Sequence, residues 1–292
     1  MKILVTGATG FVGSNLVRAL LNHQSSAGIY ITARNNSDFW RIDDIKHRLH
    51  NIYYLNLDDK QKVNQLIESL KPNIIYHVAT YGGFTYQADQ EQIIKSNLLA
   101  TMNLLDAAVA NKVKHFINTG SSSEYGIKDK PMKESDVCEP VNFYGITKLA
   151  ATNYCAMLGK QSEFTKVCTL RLFSPYGEYE DSSRLYPSIV KALRSDEPPR
   201  LSRPHSVRDF IPIDRVVNVY LQIINAQYNS GEIINVGSGV QQSIEQFYKR
   251  IAQQLNKTDI LPIWGEAPPR PNEPNVWVAD TGKLNRILNV IE

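Results

Sequence analysis

Met1-Lys-Ile-Leu-Val-Thr6 runs directly into Gly7-Ala-Thr-Gly10-Phe-Val-Gly13 and then into Ser14-Asn-Leu-Val-Arg-Ala-Leu-Leu21. The first stretch reads as a short apolar strand and the last has helical spacing. Strand, glycine turn and helix in this order are what a dinucleotide-binding turn requires. The glycines let the backbone turn tightly and approach a pyrophosphate, and the helix N-terminus offers unpaired N–H groups to it. The spacing therefore predicts a nucleotide cofactor at Gly7, Thr9, Gly10, Phe11, Val12 and Gly13.

Outward from this turn, strand-like and helix-like segments alternate. Strands are expected at 29–32, 52–55, 73–78, 115–119 and 167–173, and helices at 59–70, 97–110 and 144–158. Such alternation predicts an α/β fold, a doubly wound Rossmann sheet of parallel strands with helices on both faces. After Phe173 the segments 174–204 and 261–275 are rich in Pro, Arg and Ser. They predict loops and short helices of a smaller C-terminal lobe. Strands at 210–214 and 232–236 are expected to return to the main sheet. The expected division is 1–173 with 207–240 for the cofactor domain, and 174–206 with 241–292 for a substrate lobe closing over the strands' carboxyl ends.

Composition narrows the class. The chain has 292 residues, is 42% hydrophobic and 21% charged, and carries a net charge of +3. That small excess has no basic block, which argues against nucleic-acid binding. No apolar run approaches the roughly 18 residues of a membrane span, and Gly7 and Gly10 interrupt the N-terminal stretch too early for a signal peptide. Cys138, Cys155 and Cys168 are odd in number and show no paired spacing. They read as reduced thiols of a cytoplasmic protein, without disulfides or a zinc site. The six histidines have no metal-ligand spacing.

Tyr144-Gly-Ile-Thr-Lys148 opens a predicted helix, so Tyr144 and Lys148, four residues apart, share a helix face. A free tyrosine titrates near 10; a neighbouring ammonium is expected to lower that value and make the phenol a usable acid or base. About twenty residues earlier, Thr119-Gly-Ser121-Ser-Ser-Glu-Tyr-Gly126 follows a predicted strand, which places a serine hydroxyl where it can share a substrate oxygen with Tyr144. Together with Asn97-Leu-Leu-Ala-Thr-Met-Asn-Leu-Leu105, Arg171-Leu-Phe-Ser-Pro-Tyr-Gly177, Arg208-Asp-Phe-Ile-Pro-Ile-Asp214 and Asn235-Val-Gly-Ser-Gly239, these motifs over nearly the whole chain resemble the extended short-chain dehydrogenase/reductase family, in the branch acting on nucleotide-sugars. The resemblance implies that Ser121 orients a sugar oxygen and that Tyr144 is the general acid/base. It implies that Lys148 tunes Tyr144 and holds the nicotinamide ribose, with Asn97 beside them. It places Asn56, Leu57, Ala79, Thr119 and Phe173 around the cofactor. Ser122, Ser174, Arg208 and Arg270 fall on the substrate, the two arginines meeting its diphosphate, and segments 185–190 and 200–205 fall on the nucleotide pocket. It also implies a homodimer formed through the helices 97–110 and 148–158.

Departures from the family pattern sort the activities. Enzymes of this fold that prefer NAD carry an acid at the end of the second strand. Thr32-Ala-Arg34-Asn-Asn36 has none, and Arg34, 21 residues after Gly13, suits a 2′-phosphate. NADP(H) is the expected cofactor, with NAD the alternative. The acid pair of the family's 4,6-dehydratases is replaced by Ser122 and Ser123, with Glu124 one place off. Two enzyme readings remain: an NADPH-dependent 4-ketoreductase on a nucleotide-diphosphate 4-keto-6-deoxy sugar, which Arg34 favours, and an NAD-dependent 4-epimerase. A non-catalytic nucleotide sensor is the third reading, and the intact Tyr–Lys pair speaks against it.

Overall fold

The computed structural model describes residues 1–23, 27–84, 86–266 and 274–289. In chain order the first half contains β1 (Lys2–Thr6), α1 (Phe11–His23), β2 (Gly28–Ala33), β3 (Asn51–Tyr54), α2 (Lys60–Leu70), β4 (Ile74–His77), α3 (Gln90–Ile94), α4 (Ala100–Ala110), β5 (His115–Ser121), α5 (Phe143–Gln161) and β6 (Lys166–Leu172). The second half contains β7 (Ser174–Tyr176), α6 (Leu185–Arg194), β8 (Arg200–Leu201), β9 (Val207–Pro212), α7 (Ile213–Ile223), β10 (Glu232–Val236), β11 (Gln241–Ser243), α8 (Ile244–Gln254), β12 (Ile263–Trp264) and α9 (Gly282–Leu288).

Seven strands form one sheet in the order β10-β6-β5-β4-β1-β2-β3, every neighbouring pair parallel. Strands buried on both faces read as apolar runs, as Ile3, Leu4 and Val5 do with no exposure. On one face Leu16, Val17 and Leu20 of α1 join Val216, Tyr220 and Ile223 of α7. On the other, Val63 and Ile67 of α2 meet Leu104 and Leu105 of α4 and Cys155 of α5. Strand order reverses between β1 and β4, and ligands of such sheets sit at that switch point, beyond the carboxyl ends.

One strand expectation is corrected. The segment expected at 210–214 lies in β9, which does not return to the main sheet. It forms a three-stranded sheet with β7 and β11. The alternation of Val207, Asp209 and Ile211 with Arg208, Phe210 and Pro212 suits either sheet. What directs it is Phe210, which stacks on Phe247 at 3.8 Å between ring centroids. That pair joins Ile189, Leu193 and Ile251 in a separate apolar cluster built on α6 and α8. The expected strand at 232–236 does join the main sheet, as β10 beside β6.

The helix expected at 97–110 also differs. Its first turn belongs to a π-helical stretch, Lys95–Leu99, inserted between α3 and α4. A π-turn inside a helix commonly marks a functional site, and this one carries Asn97. By length and composition the continuous stretch Gln90–Ala110 could cross a membrane; here it packs on α2 and α5. The three cysteines are free, and burial pushes the Cys155 thiol up to about 12.

Candidate active site

The glycine turn has the shape its sequence requires. Gly10 N–H donates to the Gly7 carbonyl at 3.0 Å, and Ser14 N–H to the Gly10 carbonyl at 2.9 Å. A Cβ on Gly13 would fall 2.1 Å from the Gly7 oxygen, so no larger residue fits there. The turn delivers the N-terminus of α1, beginning at Phe11 and Val12, to the switch point, where its first N–H groups suit an anionic pyrophosphate. The cradle therefore fits a dinucleotide. Arg41, whose role the sequence reading missed, braces it: it donates to the Thr9 carbonyl at 3.3 Å and to the Tyr179 carbonyl at 2.7 Å.

Arg34 is exposed at the carboxyl end of β2. Its backbone closes a turn with Ser37, through Arg34 N–H to Ser37 Oγ at 2.9 Å and Ser37 N–H to the Arg34 carbonyl at 3.0 Å. The acid closest in sequence, Asp38, accepts from Trp40 N–H within the same loop. Asn56 is exposed and Leu57 half-buried beyond β3.

Tyr144 enters on the first turn of α5, capped by Asn142, whose Oδ1 accepts from Gly145 N–H at 2.7 Å. A Cβ on Gly145 would lie 2.4 Å from the Ser123 carbonyl. Glycine there lets α5 close onto the turn after β5 and brings Tyr144 to Ser121. Burial lifts the Tyr144 pKa, and the Ser121 and Thr80 hydroxyls pull the other way.

Lys148 corrects the expectation that it lowers the Tyr144 pKa. Its ammonium is buried and donates to the Thr119 carbonyl at 2.5 Å. The groups that act on the phenol are Ser121 and Thr80, with Glu124 and Arg184 at longer range. Lys148 is itself pushed down by burial, which Glu124 opposes. Thr119 contributes this carbonyl; its hydroxyl is taken by Tyr220 Oη at 2.6 Å beneath the sheet.

Glu124, the acid one place off, points away from any substrate. It is fully buried, and its Oε2 accepts from Arg171 Nε at 2.6 Å. Its Oε1 accepts from Ser121 N–H at 2.8 Å and from Thr152 Oγ1 at 3.0 Å. The Arg171 guanidinium lies over the Tyr125 ring at 4.5 Å. This ion pair sets the floor under Ser121. Ser122 is buried in the same turn. Phe173 packs into a cluster with Tyr125, Met132 and Ala279, a placement its cofactor assignment did not foresee. Ser174 opens β7 and is half-buried.

Asn97 is a hub. Its Nδ2 donates to the Tyr81 carbonyl at 2.8 Å and to Thr147 Oγ1 at 3.1 Å; its Oδ1 accepts from Tyr81 N–H at 2.9 Å and Thr80 Oγ1 at 3.0 Å. With all four positions filled, Asn97 positions the loop after β4 against α5 and leaves no group for a reacting atom. Its backbone carbonyl accepts from Thr101 Oγ1 at 2.7 Å. That commits the Thr101 proton, so His77 Nε2 is the donor to Thr101 at 2.9 Å and His77 Nδ1 accepts from Thr6 at 2.7 Å. Burial drops the His77 pKa to about 3, with Lys148 adding to the shift. A neutral chain of hydrogen bonds thus ties β1, β4 and the π-turn together.

On the outer side, Arg184 reaches the Gly83 carbonyl at 2.6 Å and lies over the Phe84 ring at 4.0 Å. Arg184 so clasps the loop after β4. Glu180 sits near Arg184, and burial lifts its carboxyl to about 8. Arg208 lies on β9, donates to the Val207 carbonyl and stands 5.9 Å from the Trp277 ring. The adjacent Asp209 is an anchor, accepting from Ser238 N–H and Oγ, Gly239 N–H and Ala279 N–H. Arg270 lies outside the described residues.

Comparison with known proteins agrees with this architecture. The model of the NAD-dependent epimerase/dehydratase family matches residues 3–237. A CDP-abequose synthase from Salmonella muenchen is 28% identical over 289 residues, 98% of this chain and 91% of that protein. The UDP-glucuronic acid 4-epimerase of Bacillus cereus, solved with UDP-glucuronic acid and NAD, superposes with a TM-score of 0.84 at 26% identity, covering 100% of this chain and 94% of its own. The UDP-glucose 4-epimerase of Thermotoga maritima, solved with UDP-glucose, shares the fold with a TM-score of 0.86 at 23% identity, covering 99% and 93%.

Proposed function

The chain belongs to the NAD-dependent epimerase/dehydratase family, and on that premise we propose that it reduces a 4-keto-6-deoxy sugar carried on a nucleoside diphosphate, with NADPH as the hydride donor. The observation that carries this choice is Arg34, exposed at the end of β2 where an NAD-preferring enzyme of this fold would present a carboxylate. The glycine turn and the start of α1 hold the pyrophosphate, and Asn56 and Leu57 flank the adenine. Ala79 lines the nicotinamide side. Bound NADPH supplies the hydride. Lys148, anchored on the Thr119 carbonyl, holds the nicotinamide ribose. Ser121 donates to the sugar's carbonyl oxygen, and Tyr144 gives that oxygen its proton as it becomes an alcohol. Arg208 meets the diphosphate, a task suited to a planar guanidinium. A dehydratase would need an acid and a base beside the sugar carbons, and Glu124 is spent on Arg171. The Salmonella relative, named for CDP-abequose, supports a nucleotide-sugar as substrate.

The 4-epimerase reading has its own support in the NAD-bound Bacillus neighbour. The two separate in one assay, the reduced-nicotinamide absorbance with 4-keto-sugar nucleotides supplied. Stoichiometric loss of NADPH supports the reductase. No oxidation with any base, together with epimerisation of an ordinary nucleotide-hexose, rejects it.

Cofactor choice gives a sharper expectation. A charge-assisted hydrogen bond contributes about 1.5–3 kcal/mol, or roughly 10- to 150-fold in affinity. NADPH should bind more tightly than NADH by a factor in that range, and Arg34→Ala should erase the difference. Equal affinities by titration calorimetry would remove the argument from Arg34.

We also propose a homodimer. Ile94 and Leu99 on the 90–110 helix and Ile146 and Met157 on α5 are 37–49% exposed. Apolar side chains on two adjacent helices suit burial against a second copy. Light scattering at micromolar concentration should give twice the chain mass, and Leu99→Glu should shift it to the monomer. A monomeric wild-type protein contradicts this.

A further inference from the structure

Arg41 is a half-buried cation against the glycine turn, without an acid of its own. Its Nε donates to the Tyr179 carbonyl at 2.7 Å and its Nη1 to the Thr9 carbonyl at 3.3 Å. A guanidinium carries five N–H groups. Two are spent on backbone carbonyls, and among the described residues the other three have no acceptor and no ion pair. Asp38 and Asp181 attract the charge from longer range, but both are committed elsewhere. Asp38 Oδ1 accepts from Trp40 N–H at 3.0 Å, and Asp181 Oδ1 accepts from Ser183 N–H at 3.0 Å and Ser183 Oγ at 2.6 Å. The Trp40 ring covers the flat face of Arg41 at 4.3 Å. The unfilled N–H groups lie in the guanidinium plane and open at its edge.

The side chain is held in place before any ligand arrives. Arg18 pairs with Asp44 through both Nη atoms, at 2.7 and 2.5 Å. Its Nη2 also donates to the Arg41 carbonyl at 2.6 Å, and its guanidinium lies over the Tyr179 ring at 4.1 Å. Arg18 therefore fixes both the main chain of Arg41 and the residue whose carbonyl Arg41 holds. Tyr179 is in the left-handed region at φ 67°, which a bulky residue rarely adopts. Such a conformation persists only where neighbours over-determine it, as at ligand clamps. Asn15 Nδ2, on α1, adds a bond to the Glu178 carbonyl at 3.0 Å. Thr9 itself lies two residues before Phe11, where the N–H groups of α1 begin. A cation bonded to Thr9 stands beside the helix terminus that receives the cofactor's phosphates.

We infer that Arg41 is a binding residue for the pyrophosphate of the dinucleotide cofactor, its unfilled N–H groups donating to phosphate oxygens alongside the first N–H groups of α1.

The inference rests on the glycine turn being the cofactor site, as proposed above. It holds whether the cofactor is NADPH or NADH, since both carry the pyrophosphate. Arg34 meets the 2′-phosphate and sets the preference between the two. Arg41 meets the group they share and sets the affinity of both. Planar guanidinium forks suit phosphate oxygens, and one already fixed by its neighbours loses little freedom on binding.

The test titrates NADPH, NADH and adenosine into the wild-type protein, Arg41→Gln and Arg41→Lys, by calorimetry for the dinucleotides and by ligand-observed NMR for adenosine. Arg41→Gln should weaken NADPH and NADH by one common factor, roughly 10- to 150-fold, leaving their ratio within about twofold of wild type. Adenosine has no phosphate and should bind within about twofold of wild type. Arg41→Lys keeps the charge without the planar fork and should lose roughly three- to tenfold on both dinucleotides; it carries the test by itself should Arg41→Gln fail to fold. Wild-type affinity for both dinucleotides in the variants overturns the inference. A loss that falls equally on adenosine also overturns it, since Arg41 would then only brace the turn. A loss confined to NADPH overturns it by putting the guanidinium on the 2′-phosphate. Failure of the cofactor site would look different: the wild-type protein would bind neither dinucleotide.

Discussion

Tyr144→Phe is expected to keep its fold and its cofactor affinity while losing about 10²- to 10⁴-fold in turnover. The substitution removes one hydroxyl and leaves the ring. The cap from Asn142 to Gly145 N–H, the approach of α5 to the Ser123 carbonyl and the Lys148 bond to Thr119 involve other atoms. What disappears is the phenol hydroxyl assigned as general acid/base, and such groups contribute about that factor. Circular dichroism and a cofactor titration check the first half of the expectation, and steady-state kinetics the second. Near-normal turnover would mean the proton comes from elsewhere.

The largest effect on stability is expected at Arg171. Arg171 and Glu124 are 1% and 0% exposed and meet at 2.6 Å. Such a pair contributes little net stability as a pair, because taking two charges out of water costs about as much as their attraction returns. Removing one partner is different. Arg171→Met would strand a carboxylate with only Ser121 N–H and Thr152 Oγ1 as donors. The expected loss is about 3–5 kcal/mol, read as a fall in the urea midpoint. Glu124→Gln in the same chain should recover part of it, since the stranded charge is then gone. An unchanged midpoint in Arg171→Met would show that water or another cation reaches Glu124. Because Glu124 also holds Ser121 N–H, the single variant should lose activity before it loses fold.

The parts of this account that were legible in the sequence are those whose partners lie close along the chain. The turn Gly7 to Gly13 reads directly because its hydrogen bonds run between Gly7, Gly10 and Ser14. The spacing of Tyr144 and Lys148 reads because one helix carries both. Glu124 was counted as a near miss of a catalytic acid. Its partner Arg171 lies 47 residues away on β6, and no spacing rule joins them. Thr80 was passed over for the same reason, since its partner Asn97 sits 17 residues away on the π-turn. The ammonium of Lys148 was expected on Tyr144, and the carbonyl at the end of β5 claims it instead. Backbone acceptors leave no mark on side-chain patterns. The π-turn at Lys95–Leu99 interrupts a sequence that scans as plain helix. Strand β9 scans as a return to the main sheet because alternation fixes a strand but not its partner.

Direct evidence for the central claim would come from the fate of one hydrogen. The account holds that a hydride passes between the nicotinamide and a carbon of a nucleotide-linked sugar, with Tyr144 handling only the proton. The protein should be incubated with NADPH carrying deuterium on the transferred face and a 4-keto-sugar nucleotide, and the product weighed by mass spectrometry. The account predicts one deuterium bound to sugar carbon in the wild-type product and almost no product from Tyr144→Phe. A product that carries hydrogen from solvent at that carbon would contradict it.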